Sequence, residues 1–299
     1  MKRGIVVAVI LIAFLIPFTS ASIFDWFKKD VQMAPSANTD VRVGVGNVAP
    51  QIVSIDTIPN VNLIPASLTN VIFSFTARDS NGANDLNDAT AAASFARAGE
   101  PTRTATSCTR TSQVGKQRTY QCTVPMQYYD QAGLWTISVS INDQAGLNAQ
   151  DSSTSFTLNL LRDIILSSNS ISFPTLVQGD INTMSSQDTT ITNNGNAVVP
   201  SNIIQLTARN LIGETTTSEN IPASSFTSAS TSLPDICTGG NALIDNSAIT
   251  ISSAALPRGP SGSNTGVIGY CLTLVPEGIS SQYYSASLAG GTAWTITLN

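Results

Sequence analysis

The chain has 299 residues, about twice the usual length of one domain, and only 11% of them are charged against roughly 25% in an average soluble protein. It contains no histidine, which excludes Ser-His-Asp and Cys-His catalysis and the commonest zinc ligand sets, and Ser and Thr fill about a quarter of its positions. A net charge of −5 leaves no basic footprint for nucleic acid or for anionic lipid headgroups.

The first element in chain order is an export segment. Met1-Lys2-Arg3-Gly4 is basic, residues 5–18 are apolar, and Thr19-Ser20-Ala21-Ser22 supplies small residues for a peptidase, so residues 1–21 read as a signal peptide cut after Ala21. The apolar run is about 14 residues, short of the roughly 20 that cross a bilayer as a helix. Membrane contact is therefore expected only through this segment, and only if it stays uncleaved. Arg3-Gly4 also resembles the cleavage site of type IV prepilins, in which the apolar segment is retained as an assembly helix. Val9 stands where a mature pilin carries Glu, which makes a pilin-like subunit the lesser reading. Residues 22–45, with the aromatic and basic cluster Phe24-Asp25-Trp26-Phe27-Lys28-Lys29, read as a linker or strut.

From residue 46 the pattern is that of strands. Val71, Phe73, Phe75 and Ala77 alternate with Ile72, Ser74 and Thr76, Tyr120, Cys122 and Val124 with Thr119, Gln121 and Thr123, and Trp135, Ile137, Val139 and Ile141 with Thr136, Ser138, Ser140 and Asn142. Period-2 alternation marks a strand with one buried and one wet face. Residues 51–55, 89–98, 102–109 and 154–160 complete about seven strands in 46–161, the footprint of an immunoglobulin-like sandwich. Residues 162–299 repeat the theme with strands at 203–210, 248–252, 266–275 and 292–298. A strand from Thr189 runs into the Asn-Gly turn at 194–195, where positive φ is expected. Residues 215–232 are so rich in Ser and Thr that they read as a long decorated loop around whatever Ile221 and Phe226 pin down. The expected fold is all-β: two tandem immunoglobulin-like antiparallel sandwiches after a signal helix. The linker 158–166 is apolar enough to predict a short elbow with buried Leu and Ile rather than a flexible tether.

An internal correspondence supports duplication. Cys122, Pro125, Gln127-Tyr128-Tyr129, Ala132-Gly133 and Trp135-Thr136-Ile137-Ser138 recur in order as Cys271, Pro276, Gln282-Tyr283-Tyr284, Ala289-Gly290 and Trp294-Thr295-Ile296-Thr297. Tyr129 and Tyr284 then stand where a tyrosine corner bonds back to the backbone, and Trp135 and Trp294 fill the cores.

Cys108, Cys122, Cys237 and Cys271 match no zinc or redox spacing, and in an exported chain they predict disulfides. Three pairings are possible; Cys108–Cys122 with Cys237–Cys271 keeps each within one predicted domain.

Residues 129–146, Tyr-Asp-Gln-Ala-Gly-Leu-Trp-Thr-Ile-Ser-Val-Ser-Ile-Asn-Asp-Gln-Ala-Gly, resemble the ending of polycystic-kidney-disease-type and related immunoglobulin-like modules of archaeal and bacterial surface proteins. Residues 73–82 look like the second strand and turn of those modules, and residues 188–196 are similar to a strand and turn of adhesion-related modules. The Trp-Asp-Phe-Gly-Asp-Gly motif of the first family is absent. The resemblance implies a fold class and extracellular display or adhesion, with a protein or glycan partner at the cell surface and no enzymatic activity.

Two chemistries stand out. Asp79, Asn81, Asp85 and Asp88, with Asn84 among them, gather hard oxygen ligands of the kind calcium takes, although the spacing is not that of an EF-hand. Asp143 and Asp163 are further carboxylates for a site between domains. A glycosidase needs two facing carboxylates, and Glu100, Glu214, Glu219 and Glu277 sit in turns or loops with no matching partner pattern, so catalysis is not expected. Tyr128, Tyr129, Tyr283 and Tyr284 are the only clustered aromatic candidates for a sugar platform.

Overall fold

The computed structural model describes residues 40–167, 170–287 and 291–299. The expected signal peptide, its cleavage point and most of the 22–45 segment lie outside these residues. The chain divides into a unit up to Gly46 and a second from Asn47 to Asn299. In the first, the described residues are exposed and without regular structure.

In the second unit the alternating segments become strands whose apolar sides meet. The first eight are β1 (Gln51–Ile55), β2 (Leu68–Arg78), β3 (Ala92–Ala96), β4 (Arg103–Thr104), β5 (Ser107–Val114), β6 (Gln117–Gln127), β7 (Gly133–Asn142) and β8 (Asn148–Leu158). They form two antiparallel four-stranded sheets, in the orders β1-β2-β6-β5 and β4-β3-β7-β8. Lettered along the chain, these are A-B-E-D and C′-C-F-G, the immunoglobulin arrangement. Every second residue of β2, β6 and β7 is buried in one core, with Phe75, Phe95, Tyr120, Trp135, Ile137 and Val139 fully enclosed. Fully burying each such side chain contributes roughly 1.5–3 kcal/mol, so these strands anchor the fold.

The expected strand at 102–109 is two strands in different sheets. Ala105 donates its N–H to Ala93 and Thr106 donates to Thr123, so the chain changes sheets between adjacent residues. The expected strand at 89–98 begins only at Ala92, because Asn87 accepts from the Ala89 N–H and starts a 3-10 turn.

The remaining strands are β9 (Ile164–Leu166), β10 (Ile181–Met184), β11 (Thr189–Asn193), β12 (Ile204–Thr207), β13 (Leu211–Gly213), β14 (Asn220–Ile221), β15 (Phe226–Ser230), β16 (Asn241–Ala242), β17 (Ala248–Thr250), β18 (Thr265–Leu274), β19 (Tyr284–Ser285) and β20 (Thr295–Leu298), with one helical turn, α1 (Ile236–Gly239). One sheet runs β16-β15-β18-β11-β9; β10 lies beside β18 and continues β11 along it. Two small sheets, β17-β12-β20 and β14-β13-β19, lie end to end, β13 extending β12 and β19 preceding β20. A second core gathers Ile191, Leu206, Phe226, Ile268 and Tyr270, with Trp294, Ile296 and Leu298 packed against it.

The strand order β9-β11-β18-β15 repeats β1-β2-β6-β5. Cys122 on β6 therefore corresponds to Cys271 on β18, and Trp135 on β7 to Trp294 just ahead of β20. Both disulfides take the expected pairing, Cys108–Cys122 and Cys237–Cys271. The first ties β5 to β6 at directly opposed positions; the second ties α1 to β18.

Two local expectations change. The Ser/Thr-rich stretch is not a loop throughout: β15 lies inside it with all five residues buried, pairing with β18 on one side and β16 on the other. Thr227 Oγ1 donates to Ile236 O at 2.8 Å and Ser230 Oγ accepts from Ser232, while Ser228 Oγ is buried without a partner. At 193–196, Asn193 Oδ1 accepts from the Gly195 N–H at 2.9 Å, closing an Asx turn. A Cβ on Gly195 would sit 2.4 Å from Leu161 O, so close approach, not positive φ, requires glycine there.

That turn grips the linker. Asn196 is buried; its Oδ1 accepts from Leu161 N–H at 2.7 Å and its Nδ2 donates to Asn159 O at 2.8 Å. Leu158 and Leu161 join the first core, Ile164 and Leu166 the second, while Leu160 and Ile165 are exposed. The elbow is thus fixed by asparagine bonds to backbone as much as by apolar burial.

Candidate metal site

Three carboxylates converge at the end of the first core where β2 leaves its sheet. Asp79 follows β2, Asp85 closes a 3-10 turn, and Asp143 follows β7. The Leu86–Asp143 bridge and the bond from Gln144 N–H to Asp85 O at 2.7 Å draw the two loops together. One oxygen from each carboxylate lies within 4.8 Å of the others. Ligands 2.3–2.6 Å from one calcium ion lie at such separations.

The surrounding bonds leave this site electron-rich. Asp79 Oδ1 accepts from the Asn81 N–H at 2.7 Å, but its Oδ2 is buried with no partner. Asp143 accepts from Leu147 N–H at 2.8 Å and from Asn47 Nδ2 at 2.7 Å. Among the described residues no Lys or Arg forms an ion pair with any of the three. A buried carboxylate oxygen without a donor is costly, and like charges this close repel; a bound cation removes both penalties.

Of the four residues read from sequence, Asp79 and Asp85 meet here. Asn81 uses its Oδ1 to accept from Val48 N–H at 2.9 Å. Asp88 serves a different network. Its Oδ1 accepts from Arg118 Nη1 at 2.9 Å and Tyr120 Oη at 2.7 Å, and Arg110 stands 3.2 Å from its Oδ2. Burial first, then the bond to Asp88, pushes the Tyr120 hydroxyl well above its ordinary pKa. Asn84 likewise accepts from Arg118. Two guanidinium neighbours already neutralise Asp88, so it is not a free ligand. Asp143, not Asp163, completes the triad; Asp163 uses its backbone oxygen to accept from Asn194. Sequence spacing alone could not select Asp143, because its place depends on the β7–β8 turn folding back over Asp85.

The tyrosines divide by role. The single Tyr284 hydroxyl proton is shared between Glu219 Oε2 at 2.7 Å and Ser280 O at 3.0 Å, the latter four residues upstream as at a tyrosine corner. Tyr128 accepts from Asn264 Nδ2 at 3.3 Å across the junction, and Tyr129 packs edge-on against it with the Arg103 guanidinium 5.8 Å from its ring centre. Tyr283 is exposed. Trp135 is fully buried and donates to Gln131 O at 2.9 Å, and Trp294 donates to Arg209 O at 2.8 Å.

Beside the tyrosines the two cores are joined by a bidentate pair, Arg258 to Glu100 at 2.9 and 2.5 Å, with Arg258 also donating to Tyr129 O. Glu100, one of the carboxylates weighed for catalysis, is thus consumed by structure. Among the described residues no helix is long and apolar enough to cross a membrane. No protein-family model and no curated protein matches the chain.

Proposed function

We propose that this protein is exported and serves as a non-catalytic structural or adhesion component of a cell surface, built of immunoglobulin-like modules. The observation that carries the reading is the repeated strand order, β1-β2-β6-β5 and β9-β11-β18-β15, with a disulfide attached to the corresponding strands β6 and β18. Disulfides persist in oxidising surroundings outside the cytosol. Low charge and abundant hydroxyls fit the same setting, and the likeness of residues 129–146 to surface-protein modules points the same way. Protease treatment of intact cells tests it: the protein is digested before the cells lyse, whereas protection until lysis would contradict display.

The unpartnered Asp79 Oδ2 favours a further feature, that calcium stiffens the end of the first core. Asp79, Asp85 and Asp143 would hold the ion by carboxylate oxygens, cross-linking the β2–β3 loop to the β7–β8 turn. At a hundredfold excess over its dissociation constant a ligand adds about 2.7 kcal/mol, which raises Tm by roughly 5 °C or more in a chain of this size. Calcium should produce that rise in the wild type but not in D79N, and an equal Tm with calcium and with chelator would remove the site. A stiffened end suits a module that presents a surface to a protein or a glycan.

A further inference from the structure

The second core repeats the β1-β2-β6-β5 order of the first as β9-β11-β18-β15, but among the described residues it has no counterpart of β8. In the first, β7 lies between β3 and β8. In the second, its counterpart β20 pairs with β12, and among the described residues no strand lies on its other side. Asn299 donates its N–H to Ile203 O at 2.8 Å, so Thr295 and Thr297 face β12 while Ile296 and Leu298 turn their N–H and C=O groups to the open side.

Burial agrees with the missing neighbour. Trp135, Ile137 and Val139 are fully enclosed beneath the sheet that β8 completes, whereas Trp294, Ile296 and Leu298 are only half-buried. A segment of the second half matches the one that meets β8 in the first. In the first half Val61 precedes the turn into β2 and bridges in parallel to Leu158 of β8. In the second half residues 173–176 precede the turn into β10 in the same way; Phe173 and Leu176 pack on the core, and among the described residues this segment pairs with no strand. Among the described residues β20 thus presents an edge whose free N–H and C=O groups can pair with one further antiparallel strand.

Ahead of β1 lies a segment that has the alternation of a strand but no regular structure. Val41, Val43 and Val45 alternate with Arg42 and Gly44, the period of a strand, yet they are 77%, 81% and 86% exposed. Residues 46–50 separate Val45 from β1, and residues 159–163 separate β8 from β9, five in each case. Residues 41–45 therefore stand before β1 as β8 stands before β9.

We propose that residues 41–45 of a second copy of this chain fill the open edge of β20, so that copies join head to tail by strand donation. Each donated strand would lead through its five-residue linker into the next copy as β8 leads into β9. This goes beyond surface display and is independent of what the surface binds.

The test is sedimentation velocity with amide hydrogen exchange on the purified protein, wild type, V43D and V43I. Val43 is exposed, so V43D leaves both cores intact. From about 1 to about 100 µM the wild type and V43I should grow in steps of one protomer, with exchange at Ile296 and Leu298 slowing about tenfold or more. V43D should stay monomeric with no concentration dependence. A wild type that remains monomeric overturns the proposal, including one whose β20 amides are protected at every concentration, since the strand is then supplied within the chain. Association that V43D does not weaken overturns it as well, by assigning the contact to another surface.

Discussion

Glu219 accepts hydrogen bonds from Ser280 Oγ and N–H, Gln282 Nε2 and Tyr284 Oη, at 2.7 to 2.9 Å. The Ser280 bonds first, then Tyr284, hold its carboxyl down at about 2. A depressed folded-state pKa contributes stability that is complete above the unfolded value, about 4.5, and is lost as pH falls toward 2. E219Q should therefore lower Tm at neutral pH and flatten the acid limb between those values, read by thermal melts across pH. An unchanged acid limb would mean that this carboxylate does not anchor the corner. Asp79 belongs to the same scale with the opposite condition, a buried oxygen with no donor. Both residues lie in loops, where sequence shows a carboxylate but not what faces it.

At the scale of elements, the first core should depend on β7 more than the second depends on β20. Trp135 is fully buried, so W135A should cost about 3–5 kcal/mol, while half-buried Trp294 should cost roughly half as much in a monomeric sample. Chemical denaturation of the two variants measures this, and equal losses would contradict an uncovered β20. Alternation made β2, β6 and β7 legible, because apolar residues at every second position have one arrangement that buries them. β15 was not legible: Thr227, Ser228 and Ser230 look like surface, and only α1 and its disulfide to β18 explain how such a strand comes to lie inside. Asp79 and Asp85 could be picked out within one loop. Asp143, more than fifty residues on, required the turn after β7, and Asp88 was drawn away by Arg118, a residue of β6.

For the whole molecule, the Cys-Tyr-Tyr-Trp order pointed to a repeat, and the strand order β9-β11-β18-β15 repeats β1-β2-β6-β5. The junction was less so. Its apolar linker pointed to buried Leu and Ile, whereas Asn196, Asn264 and the Arg258–Glu100 pair carry the contact through bonds to groups far away in sequence. The account rests on export into an oxidising space. Intact-mass and N-terminal analysis of the native protein from separated cell and medium fractions tests this most directly. The account predicts a chain beginning at Ser22, four hydrogens lighter than its reduced form because both disulfides are closed. A chain beginning at Met1 with four free thiols in the cytosolic fraction would contradict it.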